Sequence, residues 1–304
     1  RALKSDIQKL TKKRQRSIKG RIKSQERRIM NIIAIDIGNT NIVIGLFLAG
    51  NEQFIKSIPG QDRAALTTCL RSAWEKVPVA ESSKCRKASL TGEGKREGVL
   101  VVSSVKSAWT DLIQEIVKDT LGEKIYIIGK DIPLPMPVWL DEPVKVGTDR
   151  IVSAAAAYAV VEDAVVVADF GTAVTIDLVD EHGVFQGGVI CPGFEISAQA
   201  LKDNTAQLPK VTVTRPTAPY GKNTADAINC GLYYSIIGAL EEIIRRYAEK
   251  IGRWPQTIIT GSGASIIKDD CNFIDNYVPN LVIKGIVLAY KKYVEDKIKL
   301  ASDL

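Results

Sequence analysis

One histidine in 304 residues removes a large class of chemistry from consideration. His182 lies in the polar run Asp180-Glu181-His182-Gly183, which reads as a hairpin tip, so a His-dependent triad and a His-rich metal site are both excluded. Cysteine is hardly more suggestive. Cys69, Cys85, Cys191, Cys230 and Cys271 are scattered with no C-x-x-C spacing. Neither a zinc site nor a disulfide framework is expected, and the odd count fits a reducing cytoplasm. No stretch approaches the ~20 apolar residues needed to cross a bilayer, so no membrane partner is expected.

Strong charge of one sign is also missing once the chain is divided. Of 41 Lys and Arg and 35 Asp and Glu, residues 1–29 hold 12 and 2, which leaves 29 against 33 for the remainder. The body is mildly acidic and only the tail is basic. Clustered cations of this kind can bind nucleic acid or an anionic surface. The tail has no apolar run long enough for a signal-peptide core, and Met30 stands directly before the first strand-like segment. The tail is therefore read as a disordered extension, not as a nucleic-acid-binding arm.

What the chain does have is ordinary globular composition, 45% hydrophobic and 25% charged, over a length sufficient for two domains of ~150 residues. From Asn31 the pattern runs as three strands, Asn31–Ile37, Asn41–Leu48 and Gln53–Ile58. A helix at Arg63–Lys76, a buried strand at Val99–Ser103, a helix at Trp109–Leu121 and a strand at Lys124–Ile128 come next. The polar stretch Val77–Glu97 reads as an exposed loop. The second half restarts with strands at Ala164–Ala168, Ala173–Val179 and Val184–Ile190. Helices at Phe194–Lys202 and Thr224–Lys250, a strand at Thr257–Thr260 and a helix over Lys284–Lys297 come after. Two halves of this form imply a duplicated α/β domain with an inter-domain cleft, divided as 1–29 (tail), 30–147 and 148–304.

The chemistry sits in the turns of that repeat. Asp36-Ile37-Gly38-Asn39-Thr40 follows the first strand of one half, and Asp169-Phe170-Gly171-Thr172 the first strand of the other. A tight turn gathers backbone N–H groups into an anion-binding concavity, and a carboxylate beside it can hold hydrated Mg²⁺. One such hairpin is common punctuation; two in register are not. Asp177, in the strand after Asp169, and the glycines of Gly187-Gly188 and Pro192-Gly193 lie toward the same sheet edge. Gly147-Thr148-Asp149-Arg150 opens the helix signal Ile151–Tyr158. Asp149 there is either a cap or a general base for a substrate hydroxyl, with Arg150 pairing an anion, and spacing alone favours the cap. The small-residue turn Thr260-Gly261-Ser262-Gly263 would let a flat ring or a phosphate approach the backbone.

In this order the motifs resemble the type III pantothenate kinases of the actin/hexokinase/heat-shock ATPase superfamily. The matching stretches are Ile35–Gly45, Val102–Val105, Gly147–Arg150, Ala168–Asp177, Gly187–Gly193, Asn204–Pro209, Gly221–Thr224 and Pro279–Gly285. The resemblance implies actin-like (ribonuclease H-like) domains and ATP-dependent phosphorylation of pantothenate to 4′-phosphopantothenate, the entry to coenzyme A synthesis. It implies that Asp36, Ile37, Gly38, Asn39, Thr40, Asn41, Ile42 and Val43 form the first phosphate loop for Mg-ATP and that Thr172 contacts ATP. It assigns Asp149 as catalytic base, Asp169 as ligand of a monovalent cation (K⁺ or NH₄⁺), and Gly147, Thr148, Asp149, Arg150 and Thr224 as pantothenate contacts. A homodimer is also implied. The chain departs from the family pattern at Leu140, usually Tyr, at Glu142, usually Asn, and at Ser262, usually Gly.

Two other readings stand beside this one. A non-catalytic binding protein on the same fold has no need of Asp36, Asp149 and Asp169 together. A related kinase for another small hydroxyl substrate is left open by Leu140.

Overall fold

Ile32–Ile35 is an apolar run with no polar face, the pattern of a strand covered on both sides. In the computed structural model, which describes residues 31–79 and 96–302, it lies at the centre of a five-stranded sheet. Strands β1 (Ile32–Ile37), β2 (Asn41–Leu48) and β3 (Asn51–Pro59) form an antiparallel meander. Helix α1 (Arg63–Lys76) starts at Asp62, whose carboxylate accepts the Ala65 N–H at 2.9 Å and so satisfies one open helix donor. Strand β4 (Val99–Ser104) then runs parallel to β1, and helix α2 (Ser107–Leu121) leads to β5 (Ile125–Ile127), parallel to β4. The sheet order is β3-β2-β1-β4-β5. The expected tail and most of the expected 77–97 loop lie outside the described residues.

The same programme is repeated. A single 3-10 turn at Pro143–Lys145 precedes α3 (Thr148–Val161), and β6 (Val165–Phe170), β7 (Ala173–Val179) and β8 (Phe185–Pro192) form a second meander. Helices α4 (Phe194–Asp203) and α5 (Thr224–Ile251) lead to β9 (Gln256–Thr260), parallel to β6. Then come α6 (Ala264–Ile267), β10 (Asn276–Tyr277) and α7 (Leu281–Ser302). The order β8-β7-β6-β9-β10 matches the first sheet strand for strand. The short α6 and β10 go beyond the sequence pattern, because four- and two-residue elements carry too little periodicity to read.

Strand alternation sorts the second sheet into two faces. Val166, Ala168, Phe170, Val174 and Ile176 pack with Tyr233, Leu240 and Ile244 of α5. Val165, Val167 and Val179 pack instead with Ile151, Ala154 and Ala155 of α3. Asp169, Thr175 and Asp177 have the parity of this second set, so the sheet pattern places them on the α3 face.

The described residues divide into two compact units, Leu134–Leu288 and the remainder, so the division falls before the expected 147/148. The boundary shifts because Leu134, Met136, Val138 and Leu140 pack into the α3-side core, with Trp139 N–H donating to the Phe185 carbonyl at 2.8 Å. Residues from Ala289 onward group with the first unit, where Tyr290 lies 6.3 Å from Tyr126, centroid to centroid.

Gly285 of α7 explains one motif position by packing alone. A β-carbon there would lie 2.0 Å from the Val152 carbonyl oxygen of α3. Gly285→Ala should therefore cost about 1–3 kcal/mol from overpacking. Urea unfolding checks this, and an unchanged midpoint would contradict the close approach.

Candidate active site

Helix α3 begins at Gly147, which offers no side-chain cap, so Thr148 and Asp149 occupy its first turn. The Asp149 carboxylate accepts the Arg150 N–H at 2.8 Å. It is thus placed beside the open donors of a helix N-terminus, where negative charge is favoured. Burial nevertheless outweighs that help and raises the Asp149 pKa above the usual carboxylate range.

Arg150 turns its guanidinium onto Asp177. Nε donates to both carboxylate oxygens at 3.1 and 3.2 Å, and Nη2 donates to Oδ1. The Asp177 side chain is 2% exposed and the Arg150 side chain 15%, so this is a desolvated, forked ion pair. Among the described residues Nη1 takes no hydrogen bond. The Phe185 ring lies 5.7 Å from the guanidinium carbon.

Asp169 lies near the end of β6, opposite Thr175 of β7 and Thr260 of β9. Its pKa is pushed up to about 7, first by burial and then by the negative charges of Asp149 and Asp177. Three carboxylates thus share one neighbourhood with one guanidinium, and that guanidinium is committed to Asp177. Two glycines make room for the carboxylates. A β-carbon at Gly188 would lie 2.2 Å from Asp177 Oδ1, and one at Gly261, where φ is +89°, would lie 2.4 Å from Asp169 Oδ1. Gly263 N–H donates to the Phe170 carbonyl at 3.0 Å. The small-residue turn at 260–263 is therefore packed on the Asp169 hairpin through Gly261 and Gly263.

The first hairpin lies in the other unit. Gly38 N–H donates to the Asn41 carbonyl at 3.1 Å and Gly171 N–H to the Ala173 carbonyl at 3.1 Å, so each turn is closed by its glycine N–H, with the first turn one residue longer. Asn39, Thr40 and Asn41 are exposed at its tip. Ile37 and Ile42 are 0% exposed, so only their backbone is available to a phosphate. Ser103 and Ser104 of β4 pair in register with Asp36 and Ile37.

Other expected residues are more loosely tied to the carboxylates. Thr172 is exposed at the second hairpin, and its carbonyl accepts Gly193 N–H at 3.2 Å. Thr224 is the exposed first residue of α5, after the cap Asn223, which accepts Asp226 N–H at 2.9 Å. Leu140 packs on the α3-side core, 3.2 Å from where a Gly187 β-carbon would stand. Glu142 pairs with Lys145 at 2.7 Å on the surface. Asp177 matters more to the site than its place in the motif suggests. Its signal in the sequence is a carboxylate within an apolar strand, which demands a buried cation nearby.

A cation suits the Asp169 site on charge, since it would offset the burial and the neighbouring negative charges that push the carboxyl pKa up to about 7. Among the described residues no three His, Cys, Asp or Glu side chains are grouped to cage a metal. A divalent ion would accordingly depend on water and substrate phosphates for most of its ligands.

The doubled β3-β2-β1-β4-β5 topology is that of the actin-like α/β proteins. The family model described as type III pantothenate kinase matches residues 32–246. A type III pantothenate kinase from Moorella thermoacetica is 35% identical over 261 residues, covering 86% of this chain and 99% of the relative. One from Syntrophotalea carbinolica is 33% identical over 262 residues, covering 85% and 98%. A solved Campylobacter jejuni structure, described as a Baf family transcriptional activator, has a TM-score of 0.52 at 16% identity. It spans 90% of this chain and 100% of that one, a likeness of fold alone. The chain belongs to the type III pantothenate kinases.

Removing one partner of the buried pair strands the other. Asp177→Ala should cost about 3–5 kcal/mol in urea unfolding, whereas Arg150→Met with Asp177→Leu should cost clearly less. Equal losses in the two proteins would contradict the desolvated pair.

Proposed function

We propose that this chain carries out its family's reaction, ATP-dependent phosphorylation of pantothenate to 4′-phosphopantothenate, with Asp149 as general base. The supporting observation is the position and pKa of Asp149, which sits in the first turn of α3 and is made more basic by burial. A base whose pKa moves toward the working pH gains efficiency.

Phosphoryl transfer needs little covalent chemistry from the protein. The substrate hydroxyl oxygen bonds to the γ-phosphorus, the bond to the β-phosphate oxygen breaks, ADP leaves, and Asp149 accepts the hydroxyl proton. Asp36–Val43 receives the phosphates of Mg-ATP through backbone N–H groups and the exposed Asn39, Thr40 and Asn41. Thr172 is a second ATP contact. Gly147, Thr148, Arg150 and Thr224 receive pantothenate. Arg150 Nη1 is the nitrogen left to meet the substrate carboxylate, because Nε and Nη2 are held by Asp177. Asp169 holds a monovalent cation, K⁺ or NH₄⁺. When bound, Mg²⁺ and the monovalent ion offset the charge of the transferring phosphoryl group.

No described helix is long and apolar enough to cross a membrane, and we place the reaction in the cytoplasm. We assign a homodimer as well. Trp139, Ile190 and Tyr220, exposed by 77%, 62% and 67% on the Leu134–Leu288 unit, are exposed apolar side chains that support it.

A coupled ADP-release assay with pantothenate, ATP, Mg²⁺ and K⁺ tests the reading, and folded protein that gives no turnover would overturn it. Asp149→Asn should lower kcat by about 10²–10⁴-fold with ATP binding retained. Normal turnover in that variant would remove the base assignment.

The cation assignment has its own test. Replacing K⁺ and NH₄⁺ by tetramethylammonium should abolish most turnover of the native enzyme. Asp169→Asn should leave a slow enzyme whose rate no longer responds to K⁺. A K⁺ response kept by that variant would place the ion elsewhere.

A further inference from the structure

Lys106 comes directly after the Val102–Val105 motif and belongs to none of the matched stretches. Its backbone starts α2, and the neighbouring contacts hold it firmly. Lys106 N–H donates to Ser104 Oγ at 3.1 Å, while its carbonyl accepts the Trp109 and Thr110 N–H groups, each at 3.1 Å. Thr110 Oγ1 donates to Ser104 Oγ at 2.6 Å, which closes the turn.

The side chain leaves this turn in a defined direction. Nζ stands 3.4 Å over the centroid of the Trp109 ring and donates to the Asn39 carbonyl at 3.4 Å. Trp109 cannot tilt away easily, because the backbone of Gly60 lies against it so closely that a β-carbon there would be 2.1 Å from Cζ3. Gly60 N–H in turn donates to the Thr40 carbonyl at 3.2 Å. Helix α2, the Trp109 ring and the first hairpin thus form one platform, all within the first unit, that aims an ammonium at the hairpin tip.

The partners of that ammonium are neutral. A π face and a carbonyl are what it touches, and among the described residues it forms no ion pair with a carboxylate. The contact to Asn39 is also long for a charge-assisted hydrogen bond. An ammonium in this state keeps most of its capacity for an anionic oxygen. The anion most suited to it is one that the neighbouring turn also receives through N–H groups.

We infer that Lys106 binds the phosphate chain of the nucleotide at the Asp36–Val43 loop, exchanging its contact with the Asn39 carbonyl for a phosphate oxygen. The inference rests on the reading of that loop as the ATP phosphate loop. Trp109 acts as a positioning residue, because it holds the lysine stem while the charge moves.

Lys106→Met keeps the stem on the indole and removes the charge; Lys106→Arg keeps the charge. The experiment measures the ATP dissociation constant by calorimetry with Mg²⁺ present, together with KM for ATP and for pantothenate. Lys106→Met should weaken ATP binding and raise its KM by about tenfold or more, the usual worth of a hydrogen bond between charged groups. The pantothenate KM and the thermal midpoint should stay unchanged, and Lys106→Arg should recover most of the loss. Native ATP affinity in Lys106→Met, or a loss shared equally by pantothenate, would overturn the inference while leaving the loop assignment intact. If Asp36→Asn and loop substitutions at Asn39 and Thr40 also left ATP binding unchanged, the loop assignment itself would fall, and this inference with it.

Discussion

The pair between Arg150 and Asp177 is the constraint on which the second unit's chemistry depends. Three carboxylates cannot be gathered on one face of a sheet without opposing charge, and among the described residues Arg150 is the guanidinium beside them. By taking Nε and Nη2, Asp177 orients Arg150 and occupies most of its hydrogen-bonding capacity. Asp149 and Asp169 are left with raised pKa values, each raised mainly by burial. Burial thus sets the electrostatic condition of the two carboxylates that we propose act on substrate and cation, and the ion pair fixes where Arg150 stands beside them. An ion pair this buried adds little net stability compared with apolar packing, so its worth is positional.

The doubled topology explains why this arrangement is possible at all. Each unit puts an Asp near the end of a central strand, flanked by an antiparallel neighbour on one side and a parallel strand on the other. Asp36 faces Ser103 of β4 in register, and Asp169 faces Thr260 of β9, so each carboxylate has a small hydroxyl residue across the parallel pair. The units differ in the segment after the parallel strand. In the first, β4 leads to a lysine at the start of α2. In the second, β9 runs into a glycine turn that packs on Asp169 itself.

Much of this is legible in the residues. The buried strands are apolar runs, and the helix at Arg63–Lys76 is bounded in the sequence by Asp62, which caps it, and by Pro78 just beyond its end. The family motifs sit at strand ends and helix starts, where spacing is informative. Three features are not legible. The boundary between units depends on Leu134–Leu140, an irregular segment without periodicity, whose packing partners are spread over α3, β6 and β8. The pairing of Arg150 with Asp177 spans 27 residues and arises from strand parity together with the placement of α3, which no single segment encodes. The glycines of the 260–263 turn resemble room for a ligand because sequence cannot distinguish a glycine kept open from one filled by a neighbouring carboxylate.

The two hairpins share an Asp-x-Gly start and a closing glycine N–H, although the first turn is one residue longer, and their electrostatic settings differ. At the first, an ammonium held only by neutral partners stands over the turn, and the exposed residues are Asn and Thr, which donate to anions. At the second, the guanidinium of Arg150 is already held by Asp177, and negative charges from Asp149 and Asp177 reach Asp169. These differing surroundings are the physical basis on which we propose phosphate oxygens at Asp36–Val43 and a cation at Asp169.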